Sequence, residues 1–139
     1  MANEATNIVL LGNQGDCVEV IVLDAGAIPK GTLMQLTSSP QTCTATSGVG
    51  QKFIGILKEE KKALDGQVKV AVITHCLADM TCGAAESMVL GALVKTGAVA
   101  NEVTVSDGCE VQHSQVGIAQ ETVAGGASGA VLINVGHQY

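Results

Sequence analysis

The sequence predicts a mainly β fold: a small barrel or sandwich of two similar β halves, with one short helix and an extended N-terminal arm. Three observations lead there. The first is an internal echo. Gly31-Thr-Leu-Met-Gln is answered 60 residues later by Gly91-Ala-Leu-Val-Lys, and Ile54-Gly55-Ile56 is answered 62 later by Val116-Gly117-Ile118. Gly66-Gln-Val-Lys-Val-Ala-Val is answered 63 later by Gly129-Ala-Val-Leu-Ile-Asn-Val. Two copies are too few for an open solenoid, which needs about three or more, so the copies belong in one closed body. The second observation is a series of short β-branched runs with turn signals every ~8–12 residues, the pattern of a sandwich or barrel. The third is the scarcity of aromatics: Phe53 and Tyr139 are the only two, and the core must be aliphatic. The 139 residues suit one domain. It spans residues 13–139, with halves at about 26–73 and 86–135, after an arm of residues 1–12.

In chain order, Cys17-Val-Glu-Val-Ile-Val-Leu reads as a strand after the turn Gly12-Asn-Gln-Gly-Asp. Asp24 to Gly31 is a loop, because Pro29 lacks a donor. Thr32-Leu-Met-Gln-Leu-Thr is the next strand, and the Ser, Pro and Gly that follow bracket a loop with a short hairpin. Lys52-Phe-Ile-Gly-Ile-Leu is a strand whose Gly55 marks a bulge, a bend or a close backbone approach. Gln67-Val-Lys-Val-Ala-Val-Ile alternates, so one face is buried and Lys69 faces water. Ala84, Ala85, Glu86, Met88 and Leu90 favour a helix, expected from Gly83 to Leu90. Strands follow at Ala92–Thr96, Glu102–Ser106, Gln115–Glu121 and Ala130–Val135.

Composition excludes several classes. The net charge is −6, and all seven cations are Lys. An acidic chain without Arg and nearly without aromatics offers nucleic acid neither phosphate-neutralising charge nor a stacking surface. Lys52, Lys58, Lys61, Lys62 and Lys69 fall in one span, read as a solvated surface loop. No segment reaches the ~18 apolar residues of a membrane span, and the first residues lack the basic-then-apolar order of a secretory signal. The five Cys, an odd number at irregular spacing, are expected to be free thiols in a reducing cytosol. Aliphatic side chains bury less area each than aromatics, so a fold of this kind gains from neighbours, and an oligomer or assembly component is expected.

No catalytic constellation emerges. His75, Cys76 and Cys82 have the wrong spacing for a zinc knuckle and lack a second ligand pair, so no metal is expected. His113 and His137 stand alone. There is no nucleophile elbow, and Gly12-Asn-Gln-Gly lacks the Lys and Ser/Thr of a phosphate loop. No cofactor is expected. The alternative class, a small ligand- or cofactor-carrying β-barrel domain such as a biotinyl or lipoyl carrier, presents a lysine at a hairpin tip. Lys69 lies mid-strand and Lys95 precedes Thr-Gly, so neither has that setting.

Several of these segments, in their order, resemble the small capsid decoration (cement) proteins of tailed bacteriophages. Asn13-Gln-Gly-Asp-Cys-Val-Glu-Val resembles the family's opening strand, and Gly26-Ala-Ile-Pro-Lys-Gly-Thr-Leu its first loop-to-strand step. Phe53-Ile-Gly-Ile-Leu, Gly66-Gln-Val-Lys-Val-Ala-Val, Gly91-Ala-Leu-Val-Lys, Val116-Gly-Ile-Ala and Gly129-Ala-Val-Leu-Ile-Asn-Val resemble later ones. The similarity covers about residues 13–135, and each motif is short and built of common residues. Ala92 stands where the family shows an acidic residue. The resemblance implies a β-rich, non-enzymatic virion protein on the outer capsid surface, made in the host cytoplasm. It implies the major capsid protein and copies of itself, as a homotrimer, for partners.

The arm holds the candidate contact residues. Ile8, Val9, Leu10 and Leu11 form an apolar run with no counterpart in the second half. They are expected to dock on an adjacent subunit or on the shell protein. At ~25 cal/mol per Å² of apolar surface, four such side chains contribute several kcal/mol before the cost of ordering the arm. The competing reading makes Ile8–Leu11 the first strand of the chain's own barrel.

Overall fold

One strand of 14 residues, Lys69–Cys82, pairs with five others and carries the architecture. The computed structural model describes residues 3–84, 86–106 and 115–135. Ten strands follow in order: β1 Thr6–Ile8, β2 Asp16–Ile21, β3 Leu33–Leu36, β4 Cys43–Ala45, β5 Phe53–Leu57, β6 Lys69–Cys82, β7 Leu93–Thr96, β8 Glu102–Val105, β9 Gln115–Ala119 and β10 Ser128–Asn134. The fold is mainly β, with a closed five-stranded barrel and further strands outside it.

The pairing registers show the duplication directly. In the first unit Leu33, Met34 and Gln35 face Ile56, Gly55 and Phe53, with a bulge after Met34. In the second, Leu93, Val94 and Lys95 face Ile118, Gly117 and Gln115, with the same bulge after Val94. Met34 to Leu36 face Ala45 to Cys43 as Val94 to Thr96 face Val105 to Val103, all displaced by 60 residues. Leu57 faces Val72 as Ala119 faces Val131. Val72 in turn faces Val18, and Val131 faces Ala78.

β2 is thus the twin of the second half of β6, and the first half of β6 is the twin of β10. The last strand of unit one runs unbroken into the first strand of unit two. The register also corrects one landmark: Val72 and Val131 lie 59 residues apart, so Gly129 matches Val70 and not Gly66.

The second unit closes as β6-β10-β9-β7-β8 and returns to β6 through the parallel pairs Thr81–Glu102 and Cys82–Val103. The first unit runs β2-β6-β5-β3-β4. Its seam is one parallel bridge, Ile21 to Thr42, where the Ile21 N–H donates to the Gln41 carbonyl at 2.9 Å. Val20, Val22, Met34, Cys43, Leu57, Val70 and Val72 form the first core. Their twins Met80, Cys82, Val94, Val103, Ala119 and Val131 lie in the second, larger cluster. That cluster also takes in Leu33, Phe53, Ile56 and Ile73 from unit one, so the two units share a dry joint. Polar ties reinforce it: the Leu33 N–H donates to Asn101 Oδ1 at 3.0 Å, and the Gln51 N–H to Thr96 Oγ1 at 2.9 Å.

Two expectations are corrected. The helix expected over Gly83–Leu90 is not seen among the described residues. Cys82 and the residues before it extend β6, and Met88 exchanges two backbone bonds with Val123, at 3.0 and 2.8 Å. Ile28 and Lys61 make the same exchange in unit one. Helix propensity is a weak preference, and here the unit's own pairing claims the backbone groups a helix needs. Lys61 is the second correction. It is not solvated but fully buried, in the place that Val123 holds in the second unit.

Gly55 and Gly117 fill equivalent places beside the two bulges. A Cβ on Gly55, whose φ is +145°, would overlap the Ile73 carbonyl. One on Gly117 would overlap the Leu132 carbonyl. In both cases the obstacle is backbone of the neighbouring strand, which cannot yield without opening the pairing. Gly55→Val and Gly117→Val are each expected to lower stability by roughly 1–3 kcal/mol through overpacking and strain. Chemical denaturation of both variants checks this, and unchanged midpoints would refute it.

Candidate partner-contact site

The arm divides into a docked half and an exposed tip. Ala5 is buried, and its N–H donates to the Gly31 carbonyl at 2.8 Å. Thr6, Asn7 and Ile8 then pair antiparallel with Asp79, Ala78 and Leu77 of β6 in the same chain. Beyond Ile8 the chain leaves the sheet. Leu10 and Asn13 bridge across a tight turn whose central residues, Leu11 and Gly12, have φ of +52° and +77°. Two successive positive φ values suit a hairpin turn that normally carries Asn or Gly. The turn is braced by the Asn7 side-chain amide, which donates to the Gln14 carbonyl at 2.8 Å, and by the Gly15 N–H, which donates to Asn13 Oδ1 at 2.9 Å.

Of the four sequence candidates, Ile8 is half-buried in β1. Val9 and Leu10 are 49% and 56% exposed, and Leu11 is fully exposed. A leucine at positive φ is strained by about 1–2 kcal/mol. At the tip it gains no burial in return within its own chain. Sequence reasoning located the apolar run but not its shape, since nothing in Ile-Val-Leu-Leu signals a turn at Leu11. Leu64, at φ +54° and also exposed, is a second leucine of this kind.

The other candidates do not come together. His75 and Asp79 are exposed and Cys76 is buried along β6. Cys82 lies six residues from Cys76 on the same strand, which at ~3.3 Å per residue is about 20 Å away. Among the described residues no three of His, Cys, Asp and Glu are grouped to hold a metal ion, and no helix is long and apolar enough to cross a membrane. His113, His137 and Cys109 lie outside the described residues.

One buried charge cluster escaped the sequence reading. The Lys61 ammonium donates to Asp24 Oδ1 and Asp65 Oδ1, both at 2.9 Å, and to the Lys62 carbonyl at 2.7 Å. Both aspartates stay about a third exposed, at 33% and 28%, so the cluster is a polar plug in the first unit. Burial alone would lower the Lys61 pKa, but the hydrogen bonds and charges of Asp65 and Asp24 outweigh it and raise it. Lys61, helped by the Gln67 N–H, holds Asp65 down at about 2. Cys43 and Cys76 are both pushed up to about 11 by burial.

Compared with known proteins, the chain matches no family model and no curated sequence.

Two predictions follow from these environments. Asp65 has a folded pKa below its ordinary value, so its contribution is complete above roughly pH 4 and is lost as pH falls toward 2. Lys61 has a raised one, so its contribution persists up to its ordinary range and is lost only as pH rises through the folded value. Asp65→Asn should therefore flatten the loss of stability between roughly pH 4 and 2 relative to the unmodified chain. Acid titrations of the melting temperature measure this, and parallel curves would refute it. Separately, Cys17 should react promptly with a thiol reagent, while Cys43, Cys76 and Cys82 react only as the protein unfolds. Prompt modification of Cys76 at neutral pH, read by peptide mass, would contradict the packing.

Proposed function

We propose that this chain is a non-enzymatic virion structural protein that binds the outer surface of a viral capsid and stabilises the shell. One observation carries the reading: a strained, fully exposed leucine at the head of an apolar turn, mounted on a duplicated β scaffold. Exposed apolar groups held in an unfavourable conformation are characteristic of contact sites. The sequence resemblance to decoration proteins supports the same role, with the major capsid protein as the surface met by Val9, Leu10 and Leu11. Self-association as a homotrimer on the shell belongs to this proposal. So does an outer-capsid location.

The strain at Leu11 makes the proposal testable in two directions at once. Leu11→Asn suits the turn and should raise stability by up to about 1 kcal/mol, while weakening binding to expanded shells by about tenfold or more. Co-sedimentation with shells and thermal melts measure the two effects. A variant that binds as well as the unmodified chain, or an unmodified chain that fails to sediment with shells, overturns the proposal.

A further inference from the structure

β2 and residues 76–82 of β6 are equivalent strands, yet their outer edges differ. Residues 77–79 are paired on both sides, with β10 on one and Thr6–Ile8 on the other. Residues 17–19 of β2 are paired with β6 alone. Among the described residues, nothing joins the other edge of β2 until Ile21 meets Thr42. The difference is visible in the side chains. Ala78, opposite Asn7 of the arm, is 0% exposed, and its twin Val18 is 43% exposed. Among the described residues the chain therefore has two equivalent seats for an added strand and one arm, and the arm fills only the second.

We propose that the outer edge of Asp16–Val20 is a docking site for an extended, cationic segment of a partner protein. The segment adds to β2 as an antiparallel strand, in the place that Thr6–Ile8 takes beside residues 77–79. Main-chain hydrogen bonds supply the grip, and alternate side chains supply selectivity. The segment covers Val18 with an apolar or small side chain. It meets Asp16 and Glu19, which are both exposed; Lys69 lies 3.9 Å from Glu19. Those acids favour Lys or Arg on the incoming strand.

They also disfavour the simplest alternative, a second copy of this chain. Two β2 edges laid antiparallel would set four carboxylates along one short seam, and like charges across strands are destabilising. Charged residues on an open edge are the usual protection against self-pairing. The arm of a second copy is already used on its own β6. This inference stands on the pairing pattern and does not depend on the capsid reading.

The test uses the full chain and a synthetic peptide of residues 3–9 carrying Glu4→Lys and Asn7→Ala, which supplies the strand pattern of the arm, a small side chain opposite Val18 and a positive charge. Amide hydrogen exchange is followed as the peptide is added up to millimolar concentration. Saturable slowing by about tenfold or more at residues 16–20, with residues 77–79 unchanged, is expected. The double variant Asp16→Lys, Glu19→Lys alters only exposed side chains; an unchanged melt confirms its fold, and it should lose the effect. Three results overturn the proposal: no slowing at residues 16–20; a change confined to residues 77–79, meaning the peptide only displaces the arm; or slowing at 16–20 in the protein alone that grows with its concentration, meaning that a second copy takes the edge.

Discussion

Five of the other nine described strands answer to the hydrogen-bonding demand of β6. A central, half-buried strand of 14 residues presents N–H and C=O groups on two edges, and those shielded from water must find a partner. On one edge β5 and then β10 meet that demand. On the other, β2, β1 and β8 follow one another along the strand. The arm is the middle member of that series. Its three paired residues are few, but they close the interval between β2 and β8 that neither unit covers by itself. This explains why a terminal segment is ordered beside β6 while the next four residues swing clear of the sheet.

Equivalence of backbone did not impose equivalence of chemistry. The place that Val123 fills in the second unit is filled by Lys61 in the first. One is an apolar stopper continuous with the core, the other an ammonium tied to two carboxylates and a carbonyl. Removing one member of such a cluster leaves a charge without its counterpart, so the first unit tolerates fewer single changes there. The hairpin turns make a milder comparison. Gln41 and Asn101 share positive φ values of 55° and 65°, but only Asn101 turns its side chain inward, to meet the Leu33 N–H.

Much of the fold was legible because period-two alternation and glycine placement are local signals. Gly55 and Gly117 carried the repeat to the right register, since each is forced by a carbonyl on the neighbouring strand. Residues 77–82 were illegible as a strand. Leu-Ala-Asp-Met-Thr-Cys does alternate, with Ala78, Met80 and Cys82 inward, but none of those three is β-branched or aromatic. Their strand character comes from partners far along the chain. The same non-local demand abolished the helix around Met88. Lys61 was hidden for the opposite reason: a lysine among lysines gives no hint that Asp24, 37 residues earlier, stands beside it. At the contact site, the apolar content of Ile8–Leu11 could be read and the backbone strain at Leu11 could not.

The continuity of β6 gives the two units a common fate. Cutting the chain near His75 would not release two half-sized proteins, because the strand that finishes one unit begins the other and each half would expose a raw end at the cut. Side chains from both units also mix in the larger cluster. Heat or denaturant should therefore meet one cooperative block and not two modules that melt in turn. A duplication that in many proteins yields beads on a string has here yielded something closer to a weld.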